Sequence, residues 1–188
     1  MAPPKKAKAK PKAKAKPKAK PASKARPASK ATKSRGSSRS RPANRPALAP
    51  HLVCAGADKA IDFYKKAFGA TEMMRLAGKD GKLIHAALQV NGATVMLVDE
   101  FPMMGNASPL SLKGTPVTIH MTVDDDDSFT QRAIKAGAKV IMPVADMFWG
   151  DRYGILEDPF GHRWSIATHQ RDMTPKEIEK AMYRAMPG

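Results

Sequence analysis

The chain of 188 residues carries 33 Lys+Arg against 17 Asp+Glu, a formal net charge of +16, which taken whole is the balance of a polyanion-binding protein. Located along the chain, the charge divides: residues 1–50 hold 17 of the bases and none of the acids, so residues 51–188 hold 16 bases against 17 acids, a net of −1. The single cysteine, Cys54, excludes a disulfide framework within the chain, and no apolar run approaches the ~20 residues that cross a bilayer. Without the apolar stretch of a secretory signal at its start, the protein is expected to be cytoplasmic and not membrane-bound.

Residues 1–47 read as a disordered tail. Lys5, Lys6, Lys8, Lys10, Lys12, Lys14, Lys16, Lys18 and Lys20 alternate with Ala and Pro, prolines at 11, 17, 21 and 27 interrupt any helix, and no aromatic residue is present. Such a segment cannot bury a core. Its composition resembles the Lys/Ala/Pro tails of linker histones and some bacterial nucleoid proteins. Uncompensated positive charge on a flexible chain attracts DNA or another polyanion through counterion release, without sequence readout, so nucleoid association is one expectation. A solubilising extension or a targeting peptide is the other reading of the same residues.

The folded part is expected over 48–170. His51 to Ala55 reads as a strand, and Asp58 to Phe68 as a helix with apolar residues at i, i+3, i+4 spacing, Asp58 placed to cap it and Gly69 ending it. Ala70 to Leu76, Lys82 to Val90 and Thr94 to Asp99 read as strands, the last two joined by the hairpin signal Asn91-Gly92. The second half repeats this order: strand Val117 to Val123, helix Asp126 to Ala136 ended by Gly137, then strands Lys139 to Met142, Tyr153 to Glu157 and His162 to Thr168. Two βαβββ units, about 48–100 and 116–170, therefore predict an α+β fold whose sheets form one cup. A C-terminal helix is expected within 171–188, opened by the capping box Thr174-Pro175-Lys176-Glu177 and serving packing or homodimerisation.

Ala60 to Gly69, Phe148 to Gly154 and Asp158-Pro159-Phe160-Gly161-His162-Arg163-Trp164 together resemble the vicinal oxygen chelate superfamily of glyoxalase, bleomycin-resistance and extradiol dioxygenase proteins. Within it the match is nearest the PhnB-like branch, related to a 3-demethylubiquinone methyltransferase-like domain. The resemblance implies the cup fold and a small molecule bound in it. The reaction stays open between a lyase, isomerase or dioxygenase type of enzyme and a non-catalytic binder. Carried over by position, the superfamily's four metal ligands fall at Ala49, near Met96, at Thr118 and at Ser165, where strong ligands are missing; a standard metal-dependent glyoxalase is therefore not expected.

Strand alternation assigns the side chains that line the cup. Ile84, Ala86, Leu88 and Val90 are expected under the helix, which leaves His85, Ala87 and Gln89 on the cup face. On the next unit Thr118, His120 and Thr122 take that face, with Ser165 on the final strand. The expected ligand-lining set is His51, His85, Gln89, Thr118, His120, Trp149, Arg152 and Ser165. No cofactor is favoured; a shifted site for Zn, Ni or Fe would use His51, His85 and His120. Trp149 and Arg152 read equally as a lid over the ligand or as cover for the core edge, with Arg152 bridging to Glu157 or Asp158. Asp124 to Asp127 reads as a helix cap rather than a metal site, Met103-Met104 as lining an adaptable apolar pocket or a dimer seam, and Cys54 as a buried structural thiol.

Overall fold

The structure, a computed structural model, describes residues 48–185 together with Pro46. The lysines of the basic tail lie outside the described residues. The first unit runs β1 (His51–Cys54), α1 (Ala57–Phe68), β2 (Thr71–Ala77), β3 (Leu83–Val90) and β4 (Ala93–Asp99). A linker with a 3-10 turn at Pro102–Met104 and the short helix α2 (Pro109–Leu112) leads to β5 (Thr118–Thr122), α3 (Asp126–Ala136), β6 (Lys139–Asp146), β7 (Asp151–Glu157) and β8 (Arg163–His169). Helix α4 (Pro175–Ala185) closes the described chain. The strands form two sheets of identical plan, β1-β4-β3-β2 and β5-β8-β7-β6, with the first strand parallel to the fourth in each. The duplicated βαβββ order is thus the observed architecture, and among the described residues no helix is long and apolar enough to cross a membrane.

Each sheet carries its helix on one face and leaves the other to the cup. Helices α1 and α3 meet, and the core runs through both units: Phe68 stacks on Phe129 with ring centroids 5.3 Å apart and meets Trp164 edge-on at 4.9 Å. Such aromatic pairs add ~0.5–1.5 kcal/mol each beyond the area they bury. At the centre lies Asp158, 3% exposed, whose Oδ2 accepts from Tyr64 O–H at 2.6 Å and Trp164 Nε1–H at 2.9 Å. Its Oδ1 accepts from the Phe160 and His162 N–H groups, both at 2.9 Å. One carboxylate thereby shapes the β7–β8 turn and ties the helix of the first unit to the last strand of the second.

Two local expectations are corrected. Asp58 does not cap α1: Gly56 stands at the N-cap with no side-chain cap, and Asp99, at the end of β4, reaches across to accept from Gly56 N–H at 3.1 Å and Ala57 N–H at 2.8 Å. Ile84 is not under the helix but 47% exposed, and Leu83 is buried instead. The register steps from Leu76↔His85 to Ala77↔Leu83, so Ile84 is the extra residue of a bulge and alternation breaks there. Two expected boundaries also lengthened. Strand β6 continues to Asp146 through Pro143, a residue tolerated because β6 is the sheet edge, and β7 begins at Asp151.

Candidate functional site

Strand register fixes which side chains share a rung of the cup face. On the first sheet His51 (β1) stands opposite Met96 (β4), which stands opposite Ala87 and then Met74. On the second sheet His120 (β5) stands opposite Ser165 (β8), then Ile155 and Met142. His51 and His120 therefore hold the same place in the two units. The expected ligand positions Ala49 and Thr118 lie two residues before these histidines and off the rung.

The lining residues gather into two clusters. In the first, the His51 and His85 rings lie 6.2 Å apart, edge to face, across β4; Gln89 is half-buried one rung away, opposite Thr71 and Thr94. Burial, followed by the nearby His85, lowers the His51 pKa below its ordinary value. In the second, His120 Nδ1 shares a 2.9 Å hydrogen bond with Ser165 Oγ. Ser165 is 3% exposed beneath the exposed His120, so the bond fixes the ring and leaves Nε2 as its free edge in either tautomer. Tyr153, whose ring lies parallel to His120 at 6.4 Å, receives the edge of Trp149 at 5.6 Å. Trp149 thus stands beside the His120 cluster. Tyr153 was missed by sequence reasoning, although its alternation with Ile155 and Glu157 on β7 carried the signal. Thr118 is exposed one rung from His120, opposite Arg163.

Arg152 does not line the cup. It faces the α3 side of β7, where it donates to Asp127 at 2.7 and 3.0 Å and to Asp146 at 3.0 Å, with Asp126 at 3.7 Å. Neither Glu157 nor Asp158 is its partner. Hydrogen bonds to Asp127 and Asp146 push its pKa up, and the same guanidinium holds Asp146 low. The acidic run serves the helix as expected: Asp125 accepts from Ser128 N–H at 3.0 Å and Ser128 O–H at 2.6 Å, at the N-cap of α3.

The three-histidine metal set is not assembled. Among the described residues no hydrogen bond or ring contact joins His120 to His51 or His85, and the only trio of His, Cys, Asp or Glu with ligand atoms within 4.8 Å is Asp125, Asp126 and Asp127, already committed to the cap and Arg152. The rung positions themselves, His51, Met96, His120 and Ser165, offer two imidazoles, a thioether and a hydroxyl. Without a carboxylate, and with one imidazole nitrogen bonded to Ser165, this donor set does not fit the superfamily's divalent metal.

Cys54 is fully buried, and its thiol is pushed far up by burial and then by Asp158. His162 lies 3.8 Å from its sulfur, but His162 Nε2 is also 3.1 Å from the Val53 carbonyl, the stronger acceptor. Burial lowers the His162 pKa. A cavity of about 280 Å³ lies at the seam between β1 and β5 under α2; it takes in His51, Val53, Ile119 and His162 and leaves out His85, His120 and Ser165.

Residues 48–166 match the family model described as Glyoxalase/Bleomycin resistance protein/Dioxygenase superfamily. The chain belongs to that superfamily. It is 56% identical over 140 residues to an uncharacterized protein of Mycobacterium tuberculosis, covering 73% of this chain and 82% of that one. Among solved structures it resembles TioX from Micromonospora sp. ML1, with 27% identity, a TM-score of 0.53, and coverage of 66% of this chain and 99% of TioX. The PhnB-like fold is matched by a putative 3-demethylubiquinone-9 3-methyltransferase, PhnB protein, from Bacillus cereus, with 17% identity, a TM-score of 0.50, and coverage of 65% and 99%.

Proposed function

We propose that the folded part binds a small, largely apolar molecule on the cup faces, through the His120–Ser165–Tyr153–Trp149 cluster and the His51–His85 pair, without a divalent metal. The observation that carries the reading is the His120–Ser165 bond of 2.9 Å: it orients one imidazole edge beside the Tyr153 ring, which Trp149 backs, on a face that Ile155, Met142 and Ala167 share with Thr118, Thr122, Glu157 and Arg163. A few oriented polar groups on an apolar wall are the general makeup of a small-molecule site. Ser165 acts as the residue that positions His120, being too buried to act as a nucleophile itself. The test is a screen of small aromatic and aliphatic ligands against the full chain after exhaustive chelation. Binding that His120→Ala or Tyr153→Ala weakens tenfold or more supports the reading, and dependence on added Zn, Ni or Fe contradicts it.

The protein is further expected to act as a homodimer. Met73 and Ile84 are 56% and 47% exposed on β2 and β3, and Val140 and Ile141 are 44–46% exposed on the matching strand β6, surfaces that a second copy would cover. Light scattering on the eluted protein decides between one and two chains. A second reading rests on the 17 bases and no acids of residues 1–50: the tail tethers the fold to DNA. Its signature is affinity falling steeply with salt in the full chain and vanishing in a chain that starts at Leu48.

A further inference from the structure

Of the five histidines, three have committed partners. His120 is held by Ser165, His162 by the Val53 carbonyl, and His169 by Asp151 and Asp172. Among the described residues His51 and His85 make no side-chain hydrogen bond. Their rings lie 6.2 Å apart on the same face of one sheet, His85 half-buried and His51 the more exposed of the two though partly desolvated.

We propose that His51 and His85 form a proton-linked oxyanion subsite, which takes the carboxylate or phosphate end of a ligand whose apolar body lies along Met74, Leu76 and Met96. The proposal rests on the cup-face reading above and names the chemistry of one end of its ligand. Two imidazoles side by side present two N–H donors to one anion, and a protonated ring adds the charge.

Among the described residues the histidine–carboxylate pairs are those of His169, and none involves His51 or His85. Met96 and Val98 stand on β4 between the rings, and Asp99 at its end faces away, bonded to the backbone of α1 and of Leu83. Gln89 and Ala87 are the nearest cup-face residues of β3, while Leu76 stands opposite His85 on β2. The charged residues of β2, Glu72 and Arg75, pair with each other on the helix face, opposite Leu88 and Ala86, and Lys65 also bonds Glu72. Lys82 bonds the Glu100 carbonyl. Across the seam the titratable neighbour is His162, itself bonded to Val53. The lowering of His51 accordingly arises from burial and from the second imidazole, with no carboxylate acting on it. An anion bound between the two rings compensates both, and a proton is taken up from solvent.

The test is a histidine-resolved NMR titration of the full chain from pH 5 to 8, in chloride and then in inorganic phosphate. Phosphate is expected to raise the midpoint of His51 by ~0.5 pH unit or more, the linked statement that phosphate binds about threefold tighter when His51 is protonated, with His169 as the internal reference. His85→Gln removes the rise at His51. An unchanged midpoint, an equal rise at His169, or a rise that survives His85→Gln overturns the subsite. Failure here with intact binding of a neutral apolar ligand at the His120 cluster removes the subsite alone; loss of that binding as well removes the cup reading beneath it.

Discussion

Replacing Asp158 by Asn keeps the shape of the turn and changes only what its oxygens can accept. The carboxylate receives four donors, from Tyr64, Trp164, Phe160 and His162, at 2.6 to 2.9 Å. An amide with its oxygen on the two backbone N–H groups turns its NH₂ toward Tyr64 and Trp164. The tyrosine hydroxyl can rotate and accept, whereas the indole N–H cannot. One buried donor is then orphaned, at ~1–3 kcal/mol, and the remaining bonds lose their charge assistance, so the expected total is about 2–4 kcal/mol. At ~2–4 °C per kcal/mol for a fold of this size, the melting temperature should fall by roughly 5–15 °C. Circular dichroism measures the fall, and fluorescence in a Trp149→Phe background reports Trp164 directly. Tyr64→Phe, which leaves the carboxylate three donors, should cost clearly less. A loss below ~0.5 kcal/mol in Asp158→Asn would refute the claim that this carboxylate fastens the two units together.

Arg152→Met should lower the melting temperature, because Asp126, Asp127 and Asp146 lose the guanidinium they share, yet leave ligand binding unchanged; weakened binding would return Arg152 to the site. His169 holds the C-terminal segment through Asp151 and Asp172, which raise its pKa. Its contribution is therefore complete below the ordinary histidine value of ~6.5 and lost as pH climbs through the raised one. Hydrogen exchange of α4 should accelerate over that window in the native chain and be independent of pH there, after intrinsic correction, in His169→Gln. Cys54 should resist iodoacetamide at pH 8 in the folded protein and react readily in urea; equal rates would contradict its buried, raised thiol. Gly150→Ala should be destabilising, since a Cβ there would meet the Arg171 carbonyl at 2.5 Å and the backbone holds φ at +101°.

Periodicity and turn residues made the duplicated fold legible, because Phe68-Gly69-Ala70 and Ala136-Gly137-Ala138 each end a helix whose apolar spacing is unambiguous. Cup-face membership of His85, His120 and Ser165 followed from alternation alone. What alternation cannot convey is register between strands distant in sequence: only the pairing of β1 with β4 and of β5 with β8 brings His51 opposite Met96 and His120 opposite Ser165. The same limit hid the capping of α1 by Asp99, 42 residues from Ala57, and the seizure of Arg152 by acids of α3 and β6. Ile84 failed for a local reason, since a bulge inverts parity without any marker residue at that site.

The most direct test of the central claim is a backbone and side-chain NMR map of ligand binding to the full chain, carried out in the presence of a chelator. Shifts concentrated at His120, Tyr153, Trp149 and Ser165, with His51 and His85 joining for acidic ligands, are the predicted result. Binding that appears only when Zn, Ni or Fe is restored, or shifts that map away from both cup faces, would contradict it.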